Sequence, residues 1–487
     1  MMFRVTFSLS ILSLCLARSF LIEELSTGSQ GVTGRDLKVR SNQQNTSTIA
    51  GILDTCYYFL DLHLCEGEKW GKPYHFYRPS IDKYSADQWL WDSGAHMIVW
   101  SHRNVTNSIL DLRTMLLFQQ PDGRIPEQIY WEDRTEQEEK AILRQYSNTQ
   151  FNDITQMPVL PYSLRAIYNK THDKEVLQEF LYPLVNYFQW WRDVRDTGDG
   201  LVYVIHNWES GLDASPAYDP AFHLYITELN ETAYLKEYSK FKELIQTYRV
   251  IYDWNMTAIL GREKAPNDPT SRWDTWFKVK DLAVNCVYAS GWKILSDLAA
   301  ELGDDVTAKR CLKEFHLTSE AIVRKMFITE QGHYNSLYVD SDGVEKTSIA
   351  NTVQNLFPLL LGDVLPTEHR DIILAHIQDE KKFNATFMLP TVAMDDAQFS
   401  ATFPVNLMWR GPVWGFTNWF VLEGLALHQR LDLQSEILSK WIDLVKTSGI
   451  WEHYNPLTAE HYGPEGLGMS TLICDYIYRY DFHGSAH

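Results

Sequence analysis

From about residue 50 onward, apolar and polar positions fall into blocks of helical period, separated by loops that carry Trp, Gly, Pro and Asp. After the polar turn Asn169-Lys170-Thr171-His172-Asp173, the residues Val176, Leu177, Phe180, Leu181, Leu184, Val185, Phe188 and Trp191 recur at helical steps. They predict a helix that ends near Asp193, with Pro183 as a kink point. Asp196-Thr197-Gly198-Asp199-Gly200 then signals a turn before a short β-like run from Leu201 to Ile205. Further amphipathic stretches fall at roughly 95–118, 232–253, 282–302, 304–326, 366–378, 413–429, 433–447 and 468–478. Strand signals are few and short, and no repeat of about 30 to 50 residues marks a solenoid. The pattern predicts an all-α fold, a closed helical barrel or toroid with long aromatic-rich loops, built as one domain.

Composition narrows the partners. At 487 residues the chain has room for roughly three domains of about 150 residues or for one large barrel. Its 45% hydrophobic residues suffice for a sizeable core. The 44 basic residues against 63 acidic leave a charge of −19, which repels nucleic acid and anionic lipid and favours a small or neutral ligand. Seventeen Trp and 26 Tyr suit sugar faces, although large helical cores also use such rings.

The start has the order of a secretory signal peptide over residues 1–19: Arg4, an apolar run from Val5 to Leu16, then Ala17-Arg18-Ser19. A polar extension without apolar period follows at 20–48, leaving 49–487 as the barrel domain. The expected location is therefore outside the cell or in an endomembrane lumen, and cytoplasmic if the leader is not recognised or cleaved. The leader is too short to span a bilayer, and no later stretch of about 18 apolar residues follows. Sequons at Asn45, Asn104, Asn169, Asn230, Asn255 and Asn384 are compatible with that route. Without Cys15, the five cysteines Cys56, Cys65, Cys286, Cys311 and Cys474 are too sparse to staple the fold. Cys56 and Cys65 could bridge a short loop, and buried free thiols are expected for the others. No zinc-type spacing occurs.

Four segments concentrate Trp, carboxylates, Gly and Pro. In Tyr84-Ser85-Ala86-Asp87-Gln88-Trp89-Leu90-Trp91-Asp92-Ser93-Gly94-Ala95-His96, Asp92 stands at a helix start, where it either caps the helix or grips a sugar hydroxyl. In His206-Asn207-Trp208-Glu209-Ser210-Gly211-Leu212-Asp213-Ala214-Ser215-Pro216, Gly211 permits a tight backbone beside a ligand and Trp208 offers an apolar wall. Asp213 there has no basic neighbour in sequence to lower its pKa, so it is either a protonated acid or an Asx-type turn residue. Met408-Trp409-Arg410-Gly411-Pro412-Val413-Trp414 reads as a ligand wall or a loop packed by cation–π contacts. In Trp451-Glu452-His453-Tyr454-Asn455-Pro456-Leu457-Thr458, Glu452 taken alone reads as a solvated surface group.

Together and in this order, the four segments resemble glycoside hydrolase family 63, and the chain's compact length is similar to the mannosylglycerate hydrolases within it. The resemblance spans about residues 80 to 470 and implies an (α/α)6 barrel that hydrolyses α-glycosides with inversion. It places the general acid on Asp213 and the general base on Glu452. Trp89, Trp91, Asp92, Trp208, Gly211, Trp409 and Trp414 fall on sugar-binding and wall positions, Gln156 on a substrate-contacting glutamine, and Tyr84 and Tyr130 on tyrosines facing the leaving group. Ala214, Met408 and Ala459 depart from the residues many members carry there, often Asn, Tyr and Gly. The resemblance implies 2-O-α-mannosylglycerate as substrate, with the glucosyl analogue second, and no metal or organic cofactor. Glycerate carries a carboxylate, for which Tyr84, Tyr130, Gln156 and Arg249 are candidate partners. The rivals are a processing-type α-glucosidase acting on a glycan and a secreted sugar-binding protein without turnover. Self-association is compatible with the sequence.

Overall fold

The computed structural model describes residues 46–143, 146, 148–196, 198–222, 277–340, 342–402 and 408–480. The expected leader, most of the extension, the amphipathic stretch 232–253 and Arg249 lie outside them. Helices are α1 (Ile49–His63), α2 (Leu90–Arg103), α3 (Val105–Leu116), α4 (Glu136–Leu143), α5 (Leu160–Thr171), α6 (Lys174–Arg195), α7 (Leu282–Leu302), α8 (Asp305–Lys325), α9 (Thr367–Gln378), α10 (Gly415–Leu427), α11 (Leu431–Ser448) and α12 (Ile473–Arg479). Two longer 3-10 segments, Val353–Val364 and Gly468–Leu472, join them. The strands are short: β1 (Leu64–Lys69), β2 (Lys72–Tyr77), β3 (Gln88–Trp89), β4 (Gln128–Ile129), β5 (Val279–Lys280), β6 (Phe327–Ile328), β7 (His333–Tyr334), β8 (Leu337–Val339), β9 (Glu345–Thr347), β10 (Trp451–Tyr454) and β11 (His461–Glu465). Their pairings β1–β2, β3–β4, β5–β8–β9, β6–β7 and β10–β11 are all antiparallel.

Hydrophobic patterning sorts the helices into two layers. Every residue of α2 from Leu90 to Ser101 is buried, as is every residue of α10 from Gly415 to Leu425. A helix covered on all sides belongs inside. The outer α8, by contrast, buries one stripe formed by Cys311, Phe315, Thr318, Ser319, Ala321 and Ile322. In chain order, α2, α5, α7, Val353–Val364, α10 and the 468–479 segment pack against one another, and the last returns to α2 and closes the ring. Around it lie α1, α3, α6, α8, α9 and α11. This is the expected (α/α)6 barrel, with the apolar core between its two rings.

Departures from the sequence reading have local causes. The stretch 95–118 is two helices, because the chain turns from the inner to the outer ring at Asn104, whose backbone is extended (φ −151°, ψ 88°). Helix α6 runs unbroken through Pro183, since Leu177, Leu181, Leu184 and Phe188 anchor one continuous buried face. The run 201–205 makes only single bridges, Asp196 to Val202 and Val204 to Val279. Helices α1 and α5 and the Val353–Val364 segment fall outside the amphipathic stretches read from the sequence. Pro161 opens α5, and the 3-10 segment contains Pro358 and a non-helical Gly362. All five described cysteines are free, Cys56 and Cys65 included.

Candidate active site

Each inner segment begins at the same mouth of the barrel, and the loops entering them build the site. Pairing of β3 with β4, Gln88 to Ile129 and Trp89 to Gln128, fixes the entry to α2. The Leu90 amide donates to the Glu127 carbonyl at 2.9 Å, so the first turn of α2 sits over Glu127. Gln156 accepts from the Trp91 amide (3.1 Å) and donates to a Glu127 carboxylate oxygen (3.4 Å). Trp89, not Asp92, occupies the cap position, and Asp92 lies buried in the first turn. Of its two sequence readings, the cap is thus removed.

The second segment is held by a buried anchor. Glu209 accepts from Arg195 (2.7 Å) and from the Ile205 amide (2.9 Å). Asn207 donates to the Asp213 carbonyl at 2.8 Å, which fixes the backbone that carries the acid. Gly211 has φ +70°, and a Cβ there would strike the six-membered ring of Trp91. Only glycine therefore lets this loop close on the tryptophan wall.

Arg410 of the third segment forms a bidentate pair with Asp219, one arm of it at 2.8 Å. It is thus a scaffold residue that clamps the two loops together. Trp409 stacks on Trp414 (4.1 Å, 13°), and Trp414 stacks on His453 (5.0 Å, 6°). Trp91 meets Trp409 at 6.3 Å. The Val413 amide donates to the Tyr454 carbonyl (2.8 Å), tying this wall to β10.

Glu452 sits at a bulge, because the register slips between Trp451↔Glu465 and His453↔Tyr462. A bulge of this kind turns one side chain out of the regular pleat. Across from it Gly463 has φ +76°, and a Cβ there would collide with the carboxylate. The glutamate side chain is 0% exposed, so the reading as a solvated surface group is overturned. Lys83 donates to both of its oxygens (2.9 and 2.7 Å) and Tyr84 to Oε1 (2.5 Å).

These elements line a cavity of about 220 Å³ that opens to solvent at the barrel mouth. Tyr84, Trp89, Trp91, Asp92, Gln156, Trp208, Gly211, Asp213, Trp409, Trp414 and Glu452 all line it. Tyr130 is not among the lining residues: it is buried, its ring against Tyr146 (6.2 Å) and under Arg134 (4.7 Å). Its neighbours on β4 point the backbone into the β3 pairing instead. Burial pushes the Asp213 carboxyl up to about 7, partly offset by Lys83, with Glu452 pushing the same way as burial. The direction agrees with the sequence argument, although the fold brings the Lys83 charge near from another loop. Burial and the Glu452 charge push Asp92 up to about 8. Desolvation and Glu452 also raise Tyr84, while burial holds His453 down at about 3.

Glu127, Leu467, Met469 and Pro79 line the cavity too and were missed as wall residues, as was Lys83 beside Glu452, while Met408 lines it as part of the segment read as a ligand wall. Among the described residues, no group of His, Cys, Asp and Glu is arranged to hold a metal ion.

Residues 84–471 match the family described as mannosylglycerate hydrolase MGH1-like glycoside hydrolase domain. A mannosylglycerate hydrolase of Thermus thermophilus is 27% identical over 397 residues, covering 79% of this chain and 92% of its own. A glucosylglycerate hydrolase of Mycolicibacterium hassiacum is 23% identical over 420 residues, 77% of this chain and 88% of its own. A solved GH63 mannosylglycerate hydrolase from Thermus thermophilus, in complex with Tris and D-glycerate, superposes with a TM-score of 0.70 at 23% identity. The alignment covers 88% of this chain and 100% of that one.

Proposed function

The chain belongs to the mannosylglycerate hydrolase MGH1-like glycoside hydrolase family, and from that premise we propose that it hydrolyses 2-O-α-mannosylglycerate, and 2-O-α-glucosylglycerate second, to sugar and glycerate. Asp213 serves as general acid, protonating the glycosidic oxygen. Glu452 serves as general base and takes a proton from a water on the far face of the ring, so that the anomeric centre inverts. One observation carries this assignment: two carboxyl groups face a single tryptophan-walled cavity in unlike surroundings. One is held up near 7, where it retains a proton to give. The other receives only N–H and O–H donors from Lys83 and Tyr84, as an acceptor must.

Trp89, Trp91 and Trp409 offer apolar faces to the sugar, and Asp92 and Glu127 offer oxygens to its hydroxyls. Mannose and glucose differ in one epimeric hydroxyl, so a pocket that accepts one conjugate discriminates weakly against the other unless it pairs that hydroxyl. Incubating the protein with both glycerate conjugates and following the anomeric proton by NMR tests substrate and stereochemistry together. Release of the α-anomer first, or glucose release only from an oligosaccharide, would overturn the reading.

The leader-like start supports a secretory route, and the sequon residues Asn104 and Asn169 are exposed on the barrel. N-terminal sequencing of the mature protein, and its mobility before and after glycan removal, test that proposal.

A further inference from the structure

The proposed acid and base leave one charged group beside the cavity without a task. Lys83 lies in the loop between β2 and β3, far from Glu452 in sequence, yet its ammonium chelates the carboxylate at 2.9 Å to Oε1 and 2.7 Å to Oε2. The two partners differ in surroundings: the lysine side chain is 31% exposed and the glutamate 0%. Tyr84 and Glu452 line the cavity, whereas Lys83 is not part of its wall. The ammonium thus holds a carboxylate that faces the cavity without itself lining that cavity. One cation bound to both oxygens fixes the direction in which the carboxylate points, and each oxygen keeps a second lone pair for another partner. Tyr84 takes one of these on Oε1.

We propose that Lys83 is a positioning residue for Glu452, holding its carboxylate in the orientation in which a free lone pair faces the attacking water, and that it makes no contact with the substrate. This rests on the reading of Glu452 as general base. The alternative task for a cation here, pairing with the glycerate carboxylate, predicts a raised KM rather than a lowered kcat when the lysine is removed.

The groups that see this charge are few. Around Glu452 stand Lys83 and Tyr84 from the β2–β3 loop, His453 with Nδ1 3.7 Å from Oε2, and Asp92 from α2. Around Asp213 stand Lys83, Glu452 and Tyr84. Lys83 counteracts part of the upward push of burial on Asp213. Removing its charge therefore lets Asp213 hold its proton to higher pH, and the alkaline limb of the rate profile moves up.

The test measures kcat and KM of wild type, Lys83→Met and Lys83→Arg on 2-O-α-mannosylglycerate from about pH 5 to 9, beside thermal melts followed by circular dichroism. Lys83→Met is expected to lose about tenfold or more in kcat with KM within about threefold, and to shift the alkaline limb upward. Lys83→Arg, which keeps the charge and the donors, is expected to recover most of the rate. A Lys83→Met enzyme with unchanged kcat and pH profile overturns the inference, as does a raised KM at preserved kcat, which would place the lysine on the substrate. Those outcomes leave the hydrolase reading standing. Wild type without turnover on either glycerate conjugate removes the reading itself, and the role of Lys83 with it.

Discussion

At the scale of single residues, the site is a balance of desolvated carboxyls. Asp213→Asn and Glu452→Gln keep the shape of each side chain while removing proton transfer, a contribution of about 10²- to 10⁴-fold. Both variants are expected to lose turnover in that range while melting within a few degrees of wild type. The alkaline limb follows from the sign of one shift. Asp213 must be protonated to act, and its carboxyl is pushed up to about 7, so activity falls as pH rises through that value. A pH–rate profile with no alkaline limb between about 6 and 8 would contradict the assignment. Asp92, pushed up to about 8, makes the complementary prediction for stability. Its folded pKa lies above the unfolded value of about 3.9, so the folded state holds the proton more tightly and loses stability as pH rises from about 4 towards 8. Asp92→Asn removes that penalty. It is expected to melt higher than wild type at pH 8 and to lose the advantage at pH 4, at the cost of sugar affinity, as measured by calorimetry and KM.

At the scale of elements, what the sequence revealed depended on whether a signal was local. Helices with one buried stripe announced themselves by period, as α8 does, and α7 ran from Leu282 to Leu302 as expected. Two inner segments, α5 and Val353–Val364, were harder, because each contains a proline and the second is a 3-10 segment broken at Gly362. The four chemistry-bearing segments were legible as clusters of unlike residues, and nearly all of their chosen positions meet in the cavity. Lys83 and Glu127 were not legible, since a lone lysine or glutamate in a loop becomes part of a site only through a partner far away in sequence. Ala459 illustrates an intermediate case: it stands where relatives were expected to carry Gly, and its φ of +63° shows why glycine suits that turn. The β10–β11 bulge yields a test of an element's own function. Gly463→Ala places a methyl group on the Glu452 carboxylate in a strand pair that can otherwise remain. It is expected to lower kcat by about a hundredfold, with a melting temperature reduced by only a few degrees. A variant with near-normal kcat would show that the bulge does not aim the base.

At the scale of the whole molecule, the barrel separates chemistry from closure. The mouth where the inner helices begin holds the acid and base, while their other ends line a second cavity. There the ring is closed by a charge network: Glu423 on α10 accepts from Arg165 on α5 (2.5 Å) and from Arg479 on α12 (2.5 Å). Asp475 accepts from Trp419 (2.8 Å) and pairs with Arg479 (2.7 Å) and His102 (2.7 Å). These contacts join the first, second, fifth and last inner segments, and both carboxylates in them are buried. Breaking one partner of such a network strands the other charges, at a cost of about 3 kcal/mol or more. Glu423→Gln should therefore unfold at clearly lower denaturant, yet its folded fraction should turn over substrate at the wild-type rate and with the wild-type pH profile. Arg479 and His102 hold Asp475 down at about 2 against the push of burial, so its share of the stability is present above about pH 4 and lost as pH falls towards 2. Acid titration at constant denaturant reads this directly: wild type should lose stability over that window, and Asp475→Asn, less stable above about pH 4, should lose less of what remains. If Glu423→Gln instead altered the alkaline limb set by Asp213, the two mouths would be coupled through the inner helices, and the division of labour along the barrel axis would fail.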